Sequence, residues 1–451
     1  MKFSARTIHP AKQRHPVLLC LLCAAGVFAA GLALALGLHN NSTYHTGSWD
    51  DYSEALVFGR MLQMQQNQSA PGGFMGVYTE DWGGEENRYL YRENTPVAPG
   101  QYNSYTHQSG LQGWALGLAN KVFSVFEPDG AARESLLYLL NSVLFYAAAL
   151  AVGLALWRAG GWLCALGWLG GVLCAPWVQT GMKDLYWCLW LWLAPLLAGL
   201  TLCAAVRRRG KAPFWAYALV FAACMLRCMC GFEFVSTFLI LCEAPLFYCW
   251  VAARRDRPAF TAWLLRMVKA GTAALGGVAA ALGVWLVQGR LYYGDWAGSL
   301  QNIAGAAGSR MSVSDDGVKA GVSVLGVLYK YIVADATVVL RLGGLELTLW
   351  QLLAVTLAGA ALLAGLLLLC GGRARLAALL PALCAWGLAF LAPVSWLALS
   401  KAHADIHTQL IPMLWQFAFV PGCWALLGAM AWQCVLAVKD RAALACRGKK
   451  L

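Results

Sequence analysis

Residues 183–209 read KDLYWCLWLWLAPLLAGLTLCAAVRRR. One acid, Asp184, precedes the uncharged run Leu185–Val206, and Arg207, Arg208 and Arg209 follow it. An α-helix rises about 1.5 Å per residue, so about 20 apolar residues cross a hydrocarbon core. The run therefore reads as a membrane helix with an acidic end and a basic end. Long apolar runs recur along the chain, at roughly 17–38, 135–157, 160–177, 213–230, 232–253, 270–288, 347–370, 377–399 and 412–438. Composition agrees: 60% of the 451 residues are hydrophobic and 12% are charged, where soluble domains carry about 25%. Only helices, or closed barrels, satisfy their own backbone groups in lipid. The expectation is a single all-α polytopic membrane domain of about ten transmembrane helices.

Charge orients it. With the N-terminus inside, the cytoplasmic segments are 1–16, 158–159, 207–212, 254–269, 371–376 and 439–451, and they hold 21 of the 34 Lys and Arg. Their only acids are Asp256 and Asp440. Basic inner loops are the signature of membrane insertion, so both termini are expected in the cytoplasm and the protein in a bacterial cytoplasmic membrane. The net charge of +12 then needs no nucleic acid as partner, because the basic residues sit at the ends of apolar runs. Val17–Leu38 is too long for the core of a signal peptide and reads as an uncleaved first helix. Most of the 16 cysteines, Cys164 and Cys203 among them, fall inside apolar runs as small core residues. Cys228 and Cys230 form only a C-x-C, a weak metal signal.

Two polar segments, 39–134 and 290–346, fall outside. Asp50–Gln66, Leu111–Phe126 and Val318–Val339 within them read as juxtamembrane helices. Six membrane helices occupy 135–289, three occupy 347–438, and a basic tail closes the chain at 439–451. On this map the polar residues gather on one outer face: Asp50, Asp51, Arg60, Lys183, Asp184, Arg227, Glu233, Lys401, His403 and His407.

Each has a bland and a chemical reading. Adjacent carboxylates such as Asp50 and Asp51 bind a divalent cation or accept a proton from a hydroxyl; Asp50 also suits a helix N-cap. Asp184, opening a helix, reads equally as a cap or a second carboxylate. Arg227 and Glu233 are bracketed by apolar residues, as a functional pair or a structural ion pair would be. His403 and His407 lie four apart and share a helix face, for substrate, a metal or interface polarity.

An acidic pair soon after the first membrane helix, followed by Ala55 and Gly59-Arg60, resembles the first loop of GT-C-fold glycosyltransferases. Asp184 with Leu185-Tyr186-Trp187 resembles the acid that opens their fourth membrane helix. The likeness covers roughly residues 15–200; the pair here is Asp-Asp, and no large soluble C-terminal domain follows. It implies transfer of a sugar from a polyprenyl-phosphate donor to an extracytoplasmic glycan, lipid or protein acceptor, among membrane lipids. It also implies Asp50, Asp51 and Asp184 as catalytic carboxylates, Asp50 and Asp51 as ligands of a possible divalent cation, and Arg60, Lys183, Arg227, Glu233, Lys401, His403 and His407 as substrate contacts. The rival readings are a transporter or flippase of envelope precursors and a non-catalytic envelope scaffold. No G-x-x-x-x-G-K-[ST] occurs, which argues against ATP-driven transport in this chain.

Overall fold

The computed structural model describes residues 16–39, 50–79, 84–311, 322–334, 338–406 and 410–448. The basic segment 1–15 and the candidate His407 lie outside them. In chain order the helices are α1 (Pro16–His39), α2 (Asp51–Gln65), α3 (Gly84–Arg92), α4 (Leu111–Phe123), α5 (Gly130–Gly160), α6 (Trp162–Leu173), α7 (Pro176–Gly181), α8 (Leu189–Arg209) and α9 (Phe214–Met229). They continue with α10 (Val235–Ala252), α11 (Arg257–Tyr293), α12 (Trp296–Met311), α13 (Val324–Tyr329), α14 (Leu349–Ala378), α15 (Leu380–Leu399), α16 (Lys401–Ile406), α17 (Leu410–Gln416) and α18 (Phe419–Gly448). Two small antiparallel pairs complete the described residues: β1 (Gly76–Val77) with β2 (Asn103–Ser104), and β3 (Val338–Leu342) with β4 (Leu345–Thr348).

Seven helical segments among the described residues are long and apolar enough to cross a membrane: in α5, α8, α10, α11, α14, α15 and the α17–α18 stretch. The other expected spans contribute shorter apolar helices, Ala24–Leu36 in α1, Trp162–Leu173 and Phe214–Met229. The expected span 160–177 is interrupted before Pro176, which starts α7. Proline disfavours helical geometry in the residue before it, and Ala175 is extended. Conversely, α11 begins at Arg257, inside a segment expected to be a loop. Asp256 caps it by accepting from the Ala259 N–H, and Pro258 follows at the second helical position. Hydropathy alone marked only the apolar stretch of that long helix.

Close helix contacts rest on small residues. A Cβ on Gly167 would strike the Trp424 carbonyl, and one on Gly428 the Leu163 carbonyl, so α6 and α18 pack backbone to backbone.

The two ends of the bundle differ. At one end, α2, α3 and α4 form a cap seated on the start of α5. Buried polar groups lock it: Arg88 and Arg92 both grip Glu134, which is 1% exposed, and Arg133 donates to Asn120 at 3.0 Å. At the other end, basic residues tie the helix termini together. Arg254 donates to the Ala377 carbonyl at 2.9 Å, and Arg375 pairs with Asp440.

Candidate functional site

The cap helix α2 meets the turn that precedes α8, and three carboxylates hold the junction. Asp50 starts α2 as its N-cap, accepting from the Ser53 N–H at 3.4 Å. Its other oxygen accepts from the Trp187 indole at 2.8 Å. One turn on, Glu54 accepts from the Leu185 N–H at 2.7 Å and from the Tyr138 hydroxyl at 2.9 Å. Asp184 turns its Oδ1 onto the N–H groups of Tyr186 and Trp187, each at 2.9 Å. Thus Leu185, Tyr186 and Trp187 are all bound by acids. The turn ends at Cys188, with φ of 45°, where α8 starts four residues later than its apolar run.

The expected cap is present at Asp50, but Asp184 does not cap α8: that helix starts at Leu189 after Cys188, without a side-chain cap, and Asp184 holds the turn before it. Glu54 is an addition. Its spacing from Asp50 and Asp51, four and three residues, puts all three near one helix face; that signal was available in D-D-x-x-E.

Asp184 is 2% exposed, and its Oδ2 has no hydrogen-bond partner. Burial, with Glu54 and Asp50 close by, pushes its carboxyl well above the usual range, and the two N–H donors offset that only in part. Asp51, in the first turn of α2, and Asp50 are half-buried. Lys183, half-buried beside Asp184, has its ammonium pushed down by burial.

The remaining candidates sit elsewhere. Arg60, 2% exposed, lies on the far part of α2, with its guanidinium 3.7 Å over the Trp114 ring and bonded to Gln63. Arg227 is 1% exposed and donates to the main-chain carbonyls of Gly231 at 3.0 Å and Glu233 at 3.2 Å, between the rings of Trp192 and Phe238. It is the clamp of the tight α9–α10 turn. Its bond to Glu233 runs through the backbone, so the expected carboxylate–guanidinium pair is replaced by a main-chain one. The Glu233 carboxyl instead packs beside Gly231 and Gln108. Sequence reasoning passed over Gln108, whose amide is fully buried with neither side-chain polar atom bonded.

Lys401 and His403 lie on α16 at the same end of the bundle as the carboxylates, but aromatic rings intervene. Trp187 contacts Phe234 at 5.8 Å, Phe234 contacts Trp396 at 5.4 Å, and Trp396 meets His403 at 6.3 Å between centroids. Asp405 pairs with Lys330 at 3.2 Å, anchoring α16 to the segment that follows α13. Among the described residues, no group of three or more His, Cys, Asp or Glu side chains is arranged to hold a metal ion. Asp50 and Asp51 would need donors from water or substrate to complete a cation site.

The chain matches no family model, no curated protein and no solved structure.

Proposed function

We propose that the chain is a membrane glycosyltransferase of GT-C type, with about ten membrane helices and both termini cytoplasmic. It moves a sugar from a polyprenyl-phosphate donor to an extracytoplasmic glycan, lipid or protein acceptor. The observation that supports this reading is the junction of α2 with the 184–187 turn, where Asp50, Glu54 and Asp184, from segments 130 residues apart, meet at the bundle end away from the basic termini. In this reading the roles divide by burial. Asp184 and Glu54, spent on backbone donors and sealed from water, position the junction. Asp50 and Asp51 are half-buried, and a carboxylate there acts as general base toward the acceptor. Lys183, next to Asp184 in the chain, offers a cation to the phosphate leaving group.

A transporter is the second reading, favoured by one observation. Glu243, in the middle of α10 and two residues before Pro245, has both carboxyl oxygens buried without partners. Intramembrane acids of this kind occur in proton and ion pathways.

Complementation separates the two. In a strain lacking the protein, lipid-linked sugars and surface glycans are profiled. Wild type restores the profile; Asp51→Asn and Asp50→Asn, at equal membrane abundance, do not, and Glu243→Gln does. Full rescue by Asp50→Asn, Asp51→Asn and Asp184→Asn would end the transferase reading. Loss with Glu243→Gln alone favours transport.

A further inference from the structure

At the bundle end away from the carboxylates, a cavity of about 500 Å³ lies between α5, α6, α8, α10, α15 and α18. That is the size of a ligand pocket, which typically spans about 300–1,000 Å³. Its walls are apolar, with Leu196 and Leu200 of α8, Leu241 of α10 and Trp386 of α15 among them. Its charged groups are Arg158, Arg207 and Arg208, at the final turns of α5 and α8, and among the described residues no Asp or Glu lines it.

These arginines are exposed, and none forms an ion pair among the described residues. Among the described residues Arg207 reaches the Cys249 thiol, at 3.5 Å, and the face of Tyr248, at 5.9 Å. Arg254 and Arg375, on neighbouring helix ends, are by contrast bonded to Ala377 and Asp440. Three cations at one mouth without a carboxylate are complementary to a polyanionic or phosphate group.

The depth points the same way. From Arg207 to Leu196, the lining of α8 climbs about 16 Å at 1.5 Å per residue, roughly half of a 30 Å hydrocarbon core. The lining residue Ala204 is exposed on α8, so the groove opens past it. A free phosphate has no use for such an apolar shaft, and a neutral lipid has no use for the cations. Basic pockets between membrane helices on the cytoplasmic side suit anionic headgroups.

We propose that this groove holds an acyl chain of an anionic phospholipid from the adjoining leaflet, with its phosphate between Arg158, Arg207 and Arg208. The site is distinct from the carboxylate junction and needs no assumption about catalysis.

The test is lipid retention by the full-length protein, purified in mild detergent and read by native mass spectrometry. The probes are phosphatidylglycerol, phosphatidylcholine, a polyprenyl phosphate and inorganic phosphate. The expected result is one phosphatidylglycerol bound saturably above the phosphatidylcholine background and not displaced by inorganic phosphate. Combined Arg158→Gln, Arg207→Gln and Arg208→Gln lowers that affinity at least tenfold and leaves phosphatidylcholine retention unchanged. Should the triple variant fail to fold, Arg208→Gln alone carries the test, with about a fivefold loss. Ala204→Phe, placed on an exposed position, lowers retention by filling the groove. Equal retention of the two phospholipids, unchanged affinity in the arginine variants, displacement by inorganic phosphate, or a tenfold preference for polyprenyl phosphate each overturns the proposal. A negative outcome here leaves the transferase reading as it stands, because that is tested by the glycan profile.

Discussion

Arg227 and Arg207 sit at opposite ends of the same helical bundle and are satisfied in opposite ways. Arg227 is sealed among aromatic rings, and two main-chain carbonyls accept its protons. Arg207 is exposed and, among the described residues, bonded to a thiol, at the mouth of an apolar groove. The acids follow the same division: Asp184 and Glu54 are buried and bonded to backbone N–H groups, while Asp440 stands exposed on its ion pair. A buried charge is tolerated only where fixed dipoles or counter-charges replace water. One end is therefore built as a rigid polar junction, and the other as an adaptable basic rim. A rigid end suits the orientation of reacting groups, and an adaptable one suits lipid headgroups.

The comparison breaks first at the buried network. Glu134→Ala takes the buried carboxylate from Arg92 and from the buried Arg88, which keeps the exposed Glu85, and loss of one partner from a buried charged network costs about 3–5 kcal/mol. Thermal unfolding in detergent should show a large drop, with the cap becoming protease-sensitive. Unchanged stability would mean that the cap is not locked as described.

The second expected effect concerns pH. The folded state raises the Asp184 pKa, so it binds that proton more tightly than the unfolded chain does. The contribution of Asp184 to stability is then full below the ordinary carboxylate range, near pH 4, and is lost as pH rises through the raised folded value. Asn at this position keeps an oxygen for the Tyr186 and Trp187 N–H groups and cannot ionise. Asp184→Asn should therefore melt higher than wild type at neutral pH, with the gap closing toward pH 4. A variant less stable at pH 7 would show that the carboxylate is paired rather than merely buried.

Smaller is the effect of Trp187→Phe, which removes one donor from Asp50 while keeping the ring contacts with Phe234 and Trp192. About 1–2 kcal/mol is expected from a hydrogen bond to a charged, half-buried acceptor. Smallest is Arg208→Gln at the basic rim, within about 0.5 kcal/mol of wild type, because an exposed unpaired side chain has little to lose. A large loss there would place a buried partner on Arg208 and contradict the picture of an open rim.

Much of this organisation was legible in the sequence, for physical reasons. Lipid demands apolar helices, so seven of the expected spans contain one long enough to cross and the other three contain shorter apolar helices, and Asp184 and the arginines flanking Leu185–Val206 mark opposite ends of the bundle. What was not legible depends on tertiary contact. The spacing of Glu54 from Asp50 and Asp51 was visible, but its burial and its bond to the Leu185 N–H depend on the 184–187 turn folding over it. The α6–α7 break follows from Pro176, whose local effect hydropathy averages away. The β3–β4 hairpin takes up the end of the expected Val318–Val339 helix and the first residues of the expected 347–370 span. The main-chain bonds of Arg227 required knowing how tightly α9 turns into α10.

The most direct test of the two-ended account is the side of the membrane each end faces. Tyr52, beside the carboxylates, is 70% exposed, and Arg441, near the end of α18, is exposed as well. In intact cells, a membrane-impermeant maleimide is expected to label Tyr52→Cys above the wild-type background and to reach Arg441→Cys only after permeabilisation. Labelling of Arg441→Cys in intact cells, with Tyr52→Cys silent until the membrane is opened, would contradict it.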